Sequence, residues 1–164
     1  MITDNTKRVI AKIPCLKSRV SPDDKDKWPQ RLKEEYESLI KYVESNKVSG
    51  HDWFQLESNG DGTQWWGKCW HIYEMERYEF KLNFELPITY PLSPPELILP
   101  DLDGLTAKMY RGGRICTDDH FVPLWNRNVP KFGIAHALAL GLAPWLAVEI
   151  PLLVGTGKIK PTKS

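Results

Sequence analysis

The residue in this sequence best suited to covalent chemistry is a cysteine at the end of a glycine-bent run. In Tyr110-Arg111-Gly112-Gly113-Arg114-Ile115-Cys116, the paired glycines permit a tight turn and close backbone approach, which would present the thiol on a shaped surface. The thiolate is the nucleophilic form, and a free cysteine of pKa about 8.5 is only a few per cent ionised at pH 7. Arg111 and Arg114 favour the thiolate, while Asp118 and Asp119 oppose it. The residues alone also allow Cys116 to be a small buried hydrophobe, as most free cysteines are. His120 is the best-placed side chain to accept a proton, since imidazole is the side-chain type that titrates nearest neutral pH. Asp118, Asp119 and His120 also read as a solvated polar loop. His51 and His71 have weaker claims, and His136 lies in an apolar run as a hydrogen-bonded core residue. Cys69 falls in a strand pattern and packs inside; Cys15 stands near the N-terminus with no motif around it.

Composition limits what that thiol could serve. The 164 residues are 41% hydrophobic and 26% charged, which fits one globular domain and excludes a disordered, collagen-like or coiled-coil chain. Lys+Arg is 22 against Asp+Glu 21, so a net charge of +1 gives no electrostatic reason to expect nucleic acid as a partner. Three cysteines without a C-x-x-C pair give neither a disulfide framework nor a zinc site, and the compartment reads as reducing. The charged N-terminus is not a secretory signal. The most apolar stretch, 134–148, falls short of the ~20 residues that cross a bilayer, so a core helix and no membrane insertion are expected. The chain reads as one domain over 1–164, with an N-terminal extension at 1–20 and a flexible tail at 152–164.

The elements that must position Cys116 follow from periodicity. Residues 5–16 form a short amphipathic segment, its helix limited by Pro14. Trp28, Leu32, Tyr36, Leu39, Ile40 and Val43 recur at helical spacing, with Arg31, Lys33, Glu34, Glu37 and Lys41 on the other face. An N-cap at Asp26 places Pro29 in the first turn, where it is tolerated. The period then becomes two: strands are predicted at 53–57, 63–73, 78–86 and 97–99, with a turn at Asn59-Gly60-Asp61-Gly62. The helix should cover one face of this antiparallel meander. Residues 100–131 lack a period, and a long loop inside a compact domain is usually functional. A helix follows from 133 to 148, expected to break near Gly141 to Pro144.

Tyr90-Pro91-Leu92-Ser93-Pro94-Pro95 lies between the third and fourth strands, and Trp125 lies nine residues past Cys116. Helix, meander, Tyr-Pro-x-x-Pro-Pro crossing, cysteine loop and following Trp, in that order, resemble the ubiquitin-conjugating enzyme fold over roughly residues 28–148. The fold class is therefore α+β with a four-stranded meander, a long catalytic loop and a C-terminal helix. Two departures matter. The family's His-Pro-Asn, with Asn eight residues before the cysteine, is replaced by Thr106-Ala107-Lys108. The family's last two helices have no sequence to form them, and an N-terminal segment is added. With residues 108–116, the run Trp125-Asn126-Arg127-Asn128-Val129-Pro130-Lys131-Phe132-Gly133 and the stretch 143–151, the chain resembles the conjugating enzymes of the ubiquitin-fold modifier (UFM).

The resemblance implies a carrier reaction. Cys116 would take the modifier's C-terminal glycine from an activating enzyme as a thioester, and a ligase complex would direct it to a lysine of a substrate protein. Both steps pass through an oxyanion, which needs hydrogen-bond donors or positive charge. Lys108 occupies the slot of the family's Asn. Its ammonium or the local backbone N–H groups would supply that role, with Thr106 and Ala107 shaping the loop; alternatively Lys108 only holds the loop. The resemblance implies no cofactor or metal. It implies a monomer in the cytoplasm, with the nucleus and a ligase-recruited position on the endoplasmic reticulum surface as further locations. The segment 6–16 and the exposed face of the first long helix are the expected docking region for the activating enzyme. The alternative function is a non-catalytic module that binds a ubiquitin-like modifier.

Overall fold

The computed structural model describes residues 4–163; residues 1–3 of the expected extension and residue 164 of the expected tail lie outside the described residues. Helix α1 spans Asp4–Lys12 and α2 spans Trp28–Val48. Strands β1 (Phe54–Ser58), β2 (Gln64–Tyr73) and β3 (Glu76–Glu85) form an antiparallel meander. After the loop come α3 (Phe121–Asn126), α4 (Ile134–His136), a π-helical turn at Ala137–Leu142 and α5 (Ala143–Gly155). No further helix follows α5 among the described residues.

The sheet buries the face its alternation predicts. Tyr78, Phe80, Leu82 and Phe84 point into the core, while Glu79, Lys81, Asn83 and Glu85 alternate with them along β3. Helix α2 covers that face through ring pairs, Tyr36 on Trp65 and Tyr42 on Phe54. Trp28 Nε1 donates to the Asp61 carbonyl at 2.8 Å and fastens the first hairpin turn to the start of α2.

The expected fourth strand at 97–99 is absent. Ile98 makes one antiparallel bridge to Asn83 in β3 and another to Arg114, and nothing longer. Pro94 and Pro95 before it and Pro100 after it remove backbone donors and fix φ, so no ladder can extend.

The apolar stripe of α2 is also rotated from the predicted one. Ile40 is 54% exposed, whereas Arg31 and Glu35 are 0% and 1% exposed. Arg31 faces the core because four hydrogen bonds meet it there. Its Nε donates to Glu35 at 2.9 Å, and its two terminal nitrogens donate to the carbonyls of Ser18 (2.7 Å), Pro130 (2.7 Å) and Phe132 (2.8 Å). Glu35 also accepts from the Tyr90 hydroxyl and, at 2.8 Å, from the Ile134 N–H. Burial alone would lower the Arg31 pKa, but Glu35 and Tyr90 more than offset it, so the guanidinium stays charged. The N-cap of α2 is Lys27 and not Asp26, and it has no side-chain cap; the Trp28 N–H donates to the Asp24 carbonyl instead.

The late helix is continuous where a break was expected. Pro144 would crowd the carbonyl four residues back in a regular helix; the π-helical turn widens the backbone just before it. The helical run from Ile134 to Gly155 is thus 22 residues, long and apolar enough to cross a membrane, so the length argument made on 134–148 does not hold. More than half of it is buried in this core, including Ile134, Leu138, Leu142, Leu146 and Ile150. The tail boundary at 152 falls inside α5, and beyond it the Thr162 N–H donates to the Arg77 carbonyl at 2.7 Å.

His136 is a core residue, as expected. Its Nδ1 accepts from the Gly133 N–H at 3.0 Å, and its ring stacks on Phe132 at 4.5 Å. Burial, then the Arg31 charge, hold its pKa down to about 4. The native state thus binds fewer protons than the unfolded chain between pH 6.5 and about 4, and folding loses stability as pH falls through that window. In urea titrations, His136→Asn, which keeps an acceptor near Nδ1, should flatten the fall; an unchanged slope would contradict it. Glu35→Gln leaves Arg31 without its counter-ion and should cost about 3–5 kcal/mol. The double variant Arg31→Met/Glu35→Leu should not recover that loss, since three carbonyls remain without donors; full recovery would show that the ion pair alone matters.

Candidate active site

Cys116 and Lys108 face each other because 109–115 is a miniature hairpin. Met109 bridges Ile115, the Tyr110 N–H donates to the Arg114 carbonyl at 2.8 Å, and the Cys116 N–H donates to the Lys108 carbonyl at 3.0 Å. The eight-residue spacing is therefore a pairing register. Gly112 and Gly113 form the tip with φ +95° and +96°, a region that side chains disfavour. Gly113 is doubly required: a Cβ there would lie 2.6 Å from the Leu99 carbonyl oxygen. The return limb is tied to the sheet, since the Leu99 N–H donates to the Gly113 carbonyl and the Ile115 N–H to the Leu97 carbonyl.

The far side of the hairpin is held by α5. Trp145 Nε1 donates to the Lys108 carbonyl at 2.9 Å, the oxygen that also accepts from Cys116. The Thr106 hydroxyl donates to the largely buried Glu149 and accepts from the Lys108 N–H at 3.1 Å. Thr106 thus ties the loop to α5, while Ala107 is exposed and makes no side-chain bond. From below, Trp125 is fully buried among Tyr90, Phe121 and Phe132, and its Nε1 donates to the Pro91 carbonyl at 2.9 Å. Trp125 thereby fastens the proline crossing to α3 and to Phe132.

Cys116 is half-buried and opens on a cleft of about 230 Å³. Lys108, His120, Trp145, Val148 and Glu149 also line it. The structure thus brings Cys116, Lys108 and His120 to one cleft. The Lys108 ammonium makes no hydrogen bond or ion pair among the described residues, and Lys108 lines the same cleft as Cys116. His120 is exposed and precedes α3 without capping it. The other two cysteines are placed differently: Cys15 is exposed, and Cys69 is fully buried, where burial pushes its thiol up to about 12.

Three neighbours escaped sequence reasoning. Glu149 and Trp145 are brought in by α5, distant in sequence, and only the helical register could have paired them with the loop. Tyr110 was in plain view, at the start of the glycine run. Its hydroxyl donates to Asp118 and lies 3.8 Å from Cys116 Sγ, and the Arg114 guanidinium stacks on its ring at 3.9 Å. The bond to Asp118, then the contact with Cys116, push its pKa up to about 12, so the hydroxyl keeps its proton at neutral pH and can only donate a hydrogen bond.

A helix laid on an antiparallel meander, a proline crossing and a cleft-side thiol on a glycine hairpin define a domain of the ubiquitin-conjugating type. The family described as ubiquitin-fold modifier-conjugating enzyme 1 matches residues 6–160. A relative of that name from Drosophila ananassae is 65% identical over 159 residues, 97% of each chain. One from Anopheles gambiae is 62% identical over 159 residues, covering 97% of this chain and 95% of its own. The chain belongs to the ubiquitin-fold modifier-conjugating enzyme family, and it is a conjugating enzyme of the transferase class.

The clamp from α5 is measurable. Thr106→Val and Glu149→Ala each remove one partner of a charge-assisted hydrogen bond. A double-mutant cycle by chemical denaturation should give a coupling energy of about 1–2 kcal/mol. Strictly additive losses would mean that the two side chains do not hold the loop together.

Proposed function

We propose that the chain carries the ubiquitin-fold modifier as a thioester on Cys116 and, with a ligase complex, passes it to lysines of substrate proteins. The observation that carries this is the placement of Cys116: a reachable sulfur at a cleft rim, fixed by a hairpin tied to the sheet on one limb and to α5 on the other. A module that only binds a modifier needs no such thiol.

In loading, Cys116 sulfur attacks the glycyl carbonyl held by the activating enzyme. The Cys116 thiol gives its proton to water, the new C–S bond forms, the old one breaks, and the activating enzyme's sulfur leaves as thiolate and takes up a proton from water. In discharge, a substrate lysine amine attacks the Cys116 thioester. The C–N bond forms, Cys116 leaves as thiolate, and the amine's proton passes to solvent or to His120, the exposed imidazole on the same cleft. The free Lys108 ammonium supplies positive charge near the oxyanion in both steps.

Incubation with the activating enzyme, ATP and the modifier should give a band on a non-reducing gel that vanishes with a thiol reductant. Cys116→Ser should give a reductant-resistant ester instead. No adduct with an active upstream enzyme would overturn the carrier reading. Lys108→Ala and Lys108→Met should slow lysine discharge while loading is retained; unchanged rates in folded variants would remove Lys108 from the mechanism.

A further inference from the structure

The oxyanion in these steps needs a directed donor, and most local backbone donors are already engaged. The Cys116 N–H is bound to the Lys108 carbonyl, the Lys108 N–H to Thr106, and the Tyr110 N–H to the Arg114 carbonyl. The N–H groups of Gly112, Gly113 and Ile115 are bound to Asp103, the Tyr110 carbonyl and the Leu97 carbonyl. The expectation that local backbone amides supply the oxyanion site therefore fails for these six positions. Among the described residues, the Tyr110 hydroxyl is the one side-chain group in hydrogen-bond contact with Cys116 Sγ.

We infer that Tyr110 is a catalytic hydrogen-bond donor, its hydroxyl turning from Asp118 to the oxyanion that develops on the glycyl carbonyl at Cys116. The inference rests on the reading of Cys116 as the acyl carrier. The geometry suits the role. The oxygen of a tetrahedral carbon bonded to Sγ lies two bonds beyond the sulfur, so a hydroxyl 3.8 Å from Sγ can come within roughly 3 Å of an oxygen on that side. Arg114, stacked on the ring at 3.9 Å, holds the ring plane while leaving rotation of the O–H about the C–O bond free. The hydroxyl needs no rotamer change; only its hydrogen is redirected from Asp118 to the new acceptor. Tyr110 is 38% exposed, so the acyl group can approach it. The hydroxyl keeps its proton throughout, and no other bond is made or broken at the residue. Asp118 then restrains the donor in the free protein, because it competes for the single hydroxyl hydrogen.

A purely structural latch between Tyr110 and Asp118 makes a different prediction, because removing either partner would break it equally. The test is single-turnover discharge of preloaded protein to free lysine, for Tyr110→Phe and Asp118→Ala, with thermal melting to confirm folding. Tyr110→Phe should load Cys116 to the wild-type extent given time but discharge roughly 100-fold more slowly, the scale of one lost oxyanion donor. Asp118→Ala, which frees the hydroxyl, should discharge faster than wild type. Equal slowing of both variants, or wild-type discharge by Tyr110→Phe, would overturn the inference while leaving the Cys116 adduct intact. Failure of wild type to form any adduct would sink the carrier reading instead.

Discussion

The buried pair Arg31–Glu35 is the interaction on which the arrangement depends. Taking two charges out of water is costly, and their attraction offsets that only when every remaining donor and acceptor is satisfied. Here that condition fixes the chain path. Arg31 demands the carbonyls of Ser18, Pro130 and Phe132; Glu35 demands the Tyr90 hydroxyl and the Ile134 N–H. Three segments far apart in sequence, around Ser18, Tyr90 and 130–134, must therefore meet at one point on α2. Glu34, one residue earlier, repeats the theme at the surface by accepting from Ser18 and the Lys17 N–H. Its partial burial would raise its pKa, but these hydrogen bonds outweigh that and hold it at about 2.

From that point the constraint passes to the site by contact. Tyr90 packs on Trp125, and Trp125 bonds Pro91 and touches Phe121. Phe121 in turn lies against Gly141, in the widened turn that admits Pro144. Helix α5 then reaches the loop through Trp145 and Glu149. The thiol is thus held by the core from beneath, by the sheet edge on one limb and by α5 on the other. Such support suits acyl transfer, in which misplacement of the reacting atom by about an ångström is costly.

Much of this was legible in the sequence where one face of an element decides its pattern. The alternation at 78–86 is reproduced in β3, and the proline crossing, the glycine-bent loop and Trp125 stand where the resemblance puts them. What was illegible is what depends on partners distant in the chain. Arg31 looks like a surface residue because its sequence neighbours are charged; nothing local announces three carbonyls from residues 18, 130 and 132. Leu97, Ile98 and Leu99 are apolar enough for a strand, but the prolines that bound them allow only single bridges. Pro144 by itself signals a helix break, and nothing local announces the π-helical turn that accommodates it. For the cleft, the glycine-bent run marks Cys116 and the resemblance's Asn slot marks Lys108, whereas Glu149 and Trp145 required the fold.

The three cysteine environments lead to the most direct measurement. Cys69 is sealed in the sheet's core face, Cys15 lies in the open with nothing to shape a transition state, and Cys116 alone sits on a braced hairpin beside a cation and a hydroxyl. Mass spectrometry of the charged protein, digested at low pH to preserve thioesters, locates the acyl group on one residue. The account predicts the modifier's glycine on Cys116 and on neither other cysteine. A modifier found on Cys15, or only as an amide on a lysine of this chain, would contradict it.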